Sequence, residues 1–205
     1  MIDRNVILTA ARDLMIRHGV RNTGLDELTK SLGISKKTIY THFTDKASLL
    51  NEVIQLNIDR LTESIRNAEE SSANAISEFI SVTSDIIDSN ITWQSTSLQD
   101  LQAYCYPAYE QCMKFKQHIL EDFLYKNFSR GIKEEFYSGN WDSRLLVENA
   151  LFMMDNCCAV IGKRNQHFSA LSVKNYFVSH FLFGLCGPSG RAMVERQLSA
   201  ITLEN

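Results

Sequence analysis

Apolar residues recur along most of the chain at the helical spacing of three and four, and long stretches show no two-residue alternation. Ile7, Ala10, Ala11, Leu14 and Met15 form one stripe, predicting a first helix over residues 3–18 that starts at an Asp3 cap and stops at Gly19. Leu25, Leu28 and Leu32 give a short second helix. Gly33 follows it, where a left-handed residue ends a helix without steric cost. Thr23 reads as the N-cap of that helix, with Asp26 as its capping-box partner. Ser35 reads as the cap of a third helix whose inward residues are Ile39 and Phe43, and Ile34 fills the corner between the two. Asp45 caps a fourth helix, which keeps its apolar period through Leu50, Val53, Ile54, Ile58, Leu61 and Ile65 to about residue 67.

Beyond it, the polar run 69–74 reads as a loop, and residues 75–90 as a helix. A shorter helix is predicted over 97–104. Pro107 suits the first turn of a helix reaching about residue 137, with a break near Arg130-Gly131. A turn at 138–140 precedes two apolar helices over 143–163 and 171–185. The Gly187-Pro188-Ser189-Gly190 run stops the second, and 191–203 form either a last short helix or a frayed end. With only two prolines and no strand pattern, the fold class is all-α.

The outward face of the third helix is Lys36, Lys37, Thr38, Tyr40, Thr41 and His42. Such a face is unsuited to a core and suited to a DNA groove, where lysines neutralise phosphates or reach guanine edges and hydroxyls hold phosphate oxygens. Capped helix, glycine turn and second capped helix together make a helix-turn-helix pattern. Charge changes the picture in the same direction. The chain carries a net −3, yet residues 1–50 hold eight Lys/Arg against five Asp/Glu, and the remainder is acidic. A basic head on an acidic body suits a DNA reader.

On these residues the chain resembles the TetR family of transcriptional regulators. The match lies in His18-Gly19-Val20, Thr23 with LDEL, LGISKKTIYTHF, and the Asp45-Lys46 entry with Leu49-Leu50, over roughly residues 3–55; beyond it only length, helical character and a closing FLFGL segment agree. The resemblance implies a helix-turn-helix DNA-binding domain over residues 1–46 and a helical effector-binding and dimerisation domain over 47–205. It implies that Lys36, Lys37 and Tyr40 approach base edges or adjacent phosphates. Thr38, His42 and Lys46 would hold phosphates on either side of the groove. Ser35, Thr41, Thr23 and Asp26 complete the DNA-facing set, the last two near the backbone at the supporting helix. Position 37 is often small in the family, so a lysine there alters what is read.

The family pattern further implies a homodimer through residues 143–187, an operator of two half-sites, and repression relieved by a small, mostly apolar effector. Trp93, Tyr104, Tyr109, Phe123, Phe152 and Met153 are the candidate effector contacts, with ordinary core packing the alternative for each. A fourth helix joining head and body would carry the effector's signal.

Five cysteines leave a second reading open: a helical thiol-based redox or metal sensor, or an enzyme, using Cys105 with Cys112 and Cys157 with Cys158. Against it, there is no CxxC, no histidine at ligand spacing, no catalytic constellation and no cofactor motif. No apolar run is long enough for a membrane span, and Asp3, Arg4 and Asn5 stand where a signal peptide needs apolar residues, so a cytoplasmic location is expected.

Overall fold

The computed structural model describes residues 2–89, 95–162 and 168–203. Among the described residues there are helices and connections but no strand, apart from one isolated antiparallel bridge between Tyr137 and Cys186. The helices are α1 Arg4–His18, α2 Leu25–Leu32, α3 Lys36–Tyr40, α4 Lys46–Ser71, α5 Ala75–Ser89, α6 Ser95–Tyr104, α7 Tyr106–Lys114, α8 Glu121–Lys133, α9 Ser143–Gly162, α10 Ala170–Leu185 and α11 Pro188–Leu203. A π-helical turn, Phe115–Leu120, lies between α7 and α8. The chain packs as two compact units: Met1–Arg60 with Ser89–Phe115, and Leu61–Asp88 with Lys116–Asn205.

In the first unit, Ile7, Leu8, Ala11, Leu14 and Met15 of α1, Leu28 of α2, Ile39 of α3 and Phe43 are buried, together with Leu49, Leu50, Val53 and Ile54 of α4. Three short helices and the start of α4 thus share one core, the head of the first unit. Cys105 and Gln111 tie the α6–α7 region to α4: the Cys105 thiol donates to the Ala47 carbonyl at 3.4 Å, and Gln111 donates to Asn51 at 3.1 Å.

The second unit is centred on an aromatic cluster. Phe79 of α5 stacks on Phe181 of α10 with centroids 5.3 Å apart, and Phe128 of α8 and Phe177 of α10 pack around them. A buried polar network borders it. Asn127 donates to the Ala75 carbonyl at 2.8 Å and to Glu78 at 3.1 Å, and the Glu78 carboxylate also accepts from Arg130.

Several boundaries differ from those read along the sequence. The run 69–74 is not a loop throughout: α4 continues through Ser71. Ala68 is buried beneath this turn, and Arg66 pairs with Glu63 and Glu70 across it. The long helix expected after Pro107 does not break at Arg130-Gly131; it is interrupted by the π-helical turn instead. Pro188 opens α11 and does not merely stop α10, because its missing N–H is no loss at the first position. Cys105 and Cys112 do not share one helix, since the backbone leaves helical geometry at Cys105 (φ −151°). Trp93, a candidate effector contact, lies outside the described residues.

Candidate nucleic-acid interface

The turn between α2 and α3 is built by local chemistry. Gly33 takes φ 64° and ψ 31°, a left-handed conformation that a β-carbon would strain, and the Ile34 amide reaches back to the Thr29 carbonyl at 3.1 Å. Ser35 then caps α3, its hydroxyl oxygen accepting from the Thr38 amide at 3.1 Å and lying 3.0 Å from the Thr38 hydroxyl. Although α3 is short, the His42 and Phe43 amides still donate to the Ile39 carbonyl at 2.9 and 3.0 Å, so the turn carries on to the buried Phe43. Asp45 and Ser48 form a reciprocal box at the start of α4: the Ser48 amide donates to Asp45 at 2.7 Å, and the Asp45 amide to the Ser48 hydroxyl at 3.2 Å.

This scaffold sorts the outward residues. Ser35, Lys36, Lys37, Tyr40 and Thr41 are exposed, with Tyr40 at 51% although it is a large aromatic. Thr38 and Lys46 are half-buried. His42 is half-buried too, and its Nε2 is shut off from solvent with no hydrogen-bond partner. Arg4 of α1 lies 4.9 Å over the Phe43 ring and pairs with Glu52 of α4, which pins the end of the α3 turn to its neighbours.

Thr23 does not cap α2, contrary to the reading from sequence. It is buried at 4% exposure and its hydroxyl donates to the Gly19 carbonyl at 2.8 Å. The N-cap of α2 is Gly24, with no side-chain cap, so Asp26 has no capping-box partner. Asp26 instead pairs with Lys36 at 2.7 Å, and that hydrogen bond raises the Lys36 ammonium above its ordinary pKa. Lys30 and Arg21 are also exposed and hold no ion pair among the described residues. Lys30 was not singled out by motif, although a lysine opposite the buried Leu28 must face solvent.

The candidate effector contacts fall in both units. In the first unit Tyr104 is exposed, and Tyr109 is half-buried with its ring 5.8 Å from that of Tyr106. In the second, Phe123 is fully buried in the core and Phe152 is 67% exposed. Met153 borders a groove of about 510 Å³ on α9 and α10, shared with Trp141, Leu145 and His180.

The cysteines are all buried and unpaired by disulfide. Burial pushes the Cys112 thiol up to about 12 and those of Cys157 and Cys186 up to about 11, and it raises Cys158 as well. Such thiols are poor nucleophiles and poor metal ligands at neutral pH. Among the described residues no three His, Cys, Asp or Glu side chains are placed to hold a metal. The thiol-based reading is therefore not favoured. No described helix is long and apolar enough to cross a membrane.

Residues 7–53 match the model of the bacterial regulatory proteins of the tetR family. The HTH-type transcriptional activator FasR of Mycolicibacterium smegmatis is 34% identical over 65 residues, covering 32% of this chain and 30% of FasR. AcrR of Shigella flexneri, an HTH-type transcriptional regulator, is 37% identical over 60 residues, covering 29% of this chain and 28% of AcrR. The chain thus spans about 30% of the length of the curated relatives it matches. A TetR-family regulator from Agrobacterium tumefaciens shares the fold, with a TM-score of 0.73 at 16% identity over 89% of this chain and 97% of that one. FadR from Bacillus subtilis, solved in complex with stearoyl-CoA, does so with a TM-score of 0.64 at 16% identity, over 88% of this chain and 98% of FadR.

Proposed function

We propose, from the premise that the chain belongs to the TetR family of bacterial regulatory proteins, that it is a one-component transcriptional regulator acting as a repressor and not as an enzyme. Residues 1–46 are its DNA-reading part, and 47–205 its sensing and dimerising part. One observation carries this reading: Lys36, Lys37, Tyr40 and Thr41 are exposed together on a capped helix whose other side, Ile39 and Phe43, is sunk in the head's core. A surface tyrosine flanked by lysines and hydroxyls suits contact with bases and phosphates.

In this reading Lys36, Lys37 and Tyr40 approach base edges or adjacent phosphates. Ser35, Thr38, Thr41, His42 and Lys46 hold the flanking phosphates, and Thr23 supports the turn from inside. One head covers little DNA, so two copies read two half-sites of an operator. The surface that would join them is on α9 and α10, where Leu145, Phe152 and Tyr176 stand exposed in the single chain. A mostly apolar effector in the body, comparable to the acyl chain of the stearoyl-CoA in the FadR complex, would release the operator.

Selection of bound duplexes from a random pool tests the first half. The wild type enriches a two-fold symmetric sequence, and the variant with Lys37→Ala and Tyr40→Ala enriches none while keeping its helical spectrum. Enrichment by the double variant equal to wild type would remove α3 as the reader. Thermal-shift screening with acyl-CoAs, fatty acids and other ligands with large apolar parts tests the second half, since a ligand of the folded state raises the melting temperature.

A further inference from the structure

We infer that Asp26 is a built-in competitor of the DNA backbone for Lys36, which leaves Lys37 as the lysine of α3 with no ionic partner among the described residues and weakens the head's hold on duplexes of arbitrary sequence. The inference rests on the DNA-binding reading above. Two adjacent lysines are set apart by the fold. Lys36 Nζ lies 2.7 Å from the Asp26 carboxylate, bridging the first residue of α3 to the first turn of α2. Lys37 is exposed and has no ionic partner among the described residues.

To an ammonium group, a carboxylate oxygen and a phosphate oxygen are equivalent acceptors. Lys36 therefore reaches a phosphate only by leaving Asp26, and it then bares a carboxylate, 85% exposed, beside a polyanion. Kept together, the pair carries no net charge. Either way Lys36 adds little to the counterion release that drives non-specific binding, whereas Lys37 adds its full share. An exposed pair of this kind is weak. A base edge or phosphate placed correctly can still take Lys36, so the competitor acts against random DNA more than against a fitting operator.

Asp26 also sits in the first turn of α2, where an acidic residue favours the helix whatever its role on DNA. Glu27 occupies the same turn, pairs with His18 at 3.3 Å, and serves as the charge-matched control.

The experiment titrates a labelled random-sequence duplex with the full chain over a salt series. Asp26→Asn is expected to bind roughly threefold to tenfold more tightly at low salt, with the slope of log K against log salt steeper by about 0.9. Glu27→Gln gains less than half of that on the logarithmic scale. Adding Lys36→Gln to Asp26→Asn returns affinity and slope to wild type, and Lys37→Gln alone makes the slope shallower by about 0.9. Asp26→Asn behaving as wild type, or Glu27→Gln matching it, overturns the inference while salt-dependent binding through Lys37 stands. Absence of any duplex binding by the wild type at low salt overturns the DNA-binding reading and this inference with it.

Discussion

Gly131 of α8 lies against the ring of Tyr137 so closely that a β-carbon at 131 would overlap the ring carbons. Tyr137 cannot simply swing away. It is 4% exposed, and its hydroxyl sits 3.1 Å from the Ala75 carbonyl and 3.2 Å from Asn127 Oδ1. The Gly131 carbonyl also accepts from the amides of Phe136 and Tyr137 at 3.0 Å, holding the end of α8 in place. Gly131→Ala is therefore expected to lower stability by about 1–3 kcal/mol, despite alanine's better helix propensity. Urea unfolding measures this, and an unchanged midpoint would mean that the ring yields.

Glu78 is 3% exposed, and it satisfies both Arg130 and the Asn127 amide. Its removal leaves a guanidinium that still has Glu134 and the Ser72 carbonyl, so the cost falls at the lower end for a broken buried pair. Glu78→Ala should lose about 3 kcal/mol. Added salt should change that figure little, because the Glu78 carboxylate is shielded from solvent even though Arg130 is 31% exposed. A loss below about 1 kcal/mol would show that the other partners of Arg130 suffice.

What could be read from the chain alone follows from how local the governing interaction is. Gly33, Ser35 and Asp45 are legible because each acts on atoms within a few residues of itself. The exposed set on α3 is legible because its period is fixed by Ile39 and Phe43. Thr23 is not, since a threonine hydroxyl can cap the helix ahead or donate to the carbonyl four residues behind, and only the packed turn at Gly19 selects the second. Gly131 suggests a helix break by composition, but it is there for Tyr137, six residues on. The π-helical turn over FKQHIL has no breaker to announce it. Effector contacts are the least legible, because an aromatic residue at helical spacing looks the same whether it fills a core, like Phe123, or stands in solvent, like Phe152.

The raised thiols give a reactivity and a pH dependence. At pH 8 the native protein should react slowly with iodoacetamide, and all five cysteines should react quickly once it is unfolded, because only the thiolate attacks. The same shifts bear on stability. Cys112, Cys157 and Cys186 stay protonated in the folded state above their ordinary value of 9.0, so the unfolded chain releases protons first as pH rises. Their contribution is whole below pH 9.0 and falls away between there and about 11 to 12. Rapid stoichiometric labelling of the native protein at pH 8 would contradict the burial and revive a thiol-based role.

The exposed face of α9 and α10 supplies the last prediction. Leu145 and Phe152 are seven residues apart, two turns along the same side of α9, and are 71% and 67% exposed in the single chain. Tyr176 of α10 is 66% exposed and stacks on His180, which borders the same groove as Leu145. Large apolar side chains so placed favour burial against a second copy, and a self-complementary two-fold contact is the commonest way to achieve it. Light scattering is expected to give twice the 23.4 kDa chain mass for the wild type. Leu145→Glu with Phe152→Glu should give the single-chain mass, because two buried unpaired carboxylates on each copy oppose association. Neither residue belongs to the head, so the monomer should keep its helical spectrum and still meet one half-site. It would lose the gain from linked half-sites, about 10²-fold or more in operator affinity. A variant that stays dimeric places the contact elsewhere on the chain; one that is monomeric yet keeps full operator affinity shows that a single head is sufficient.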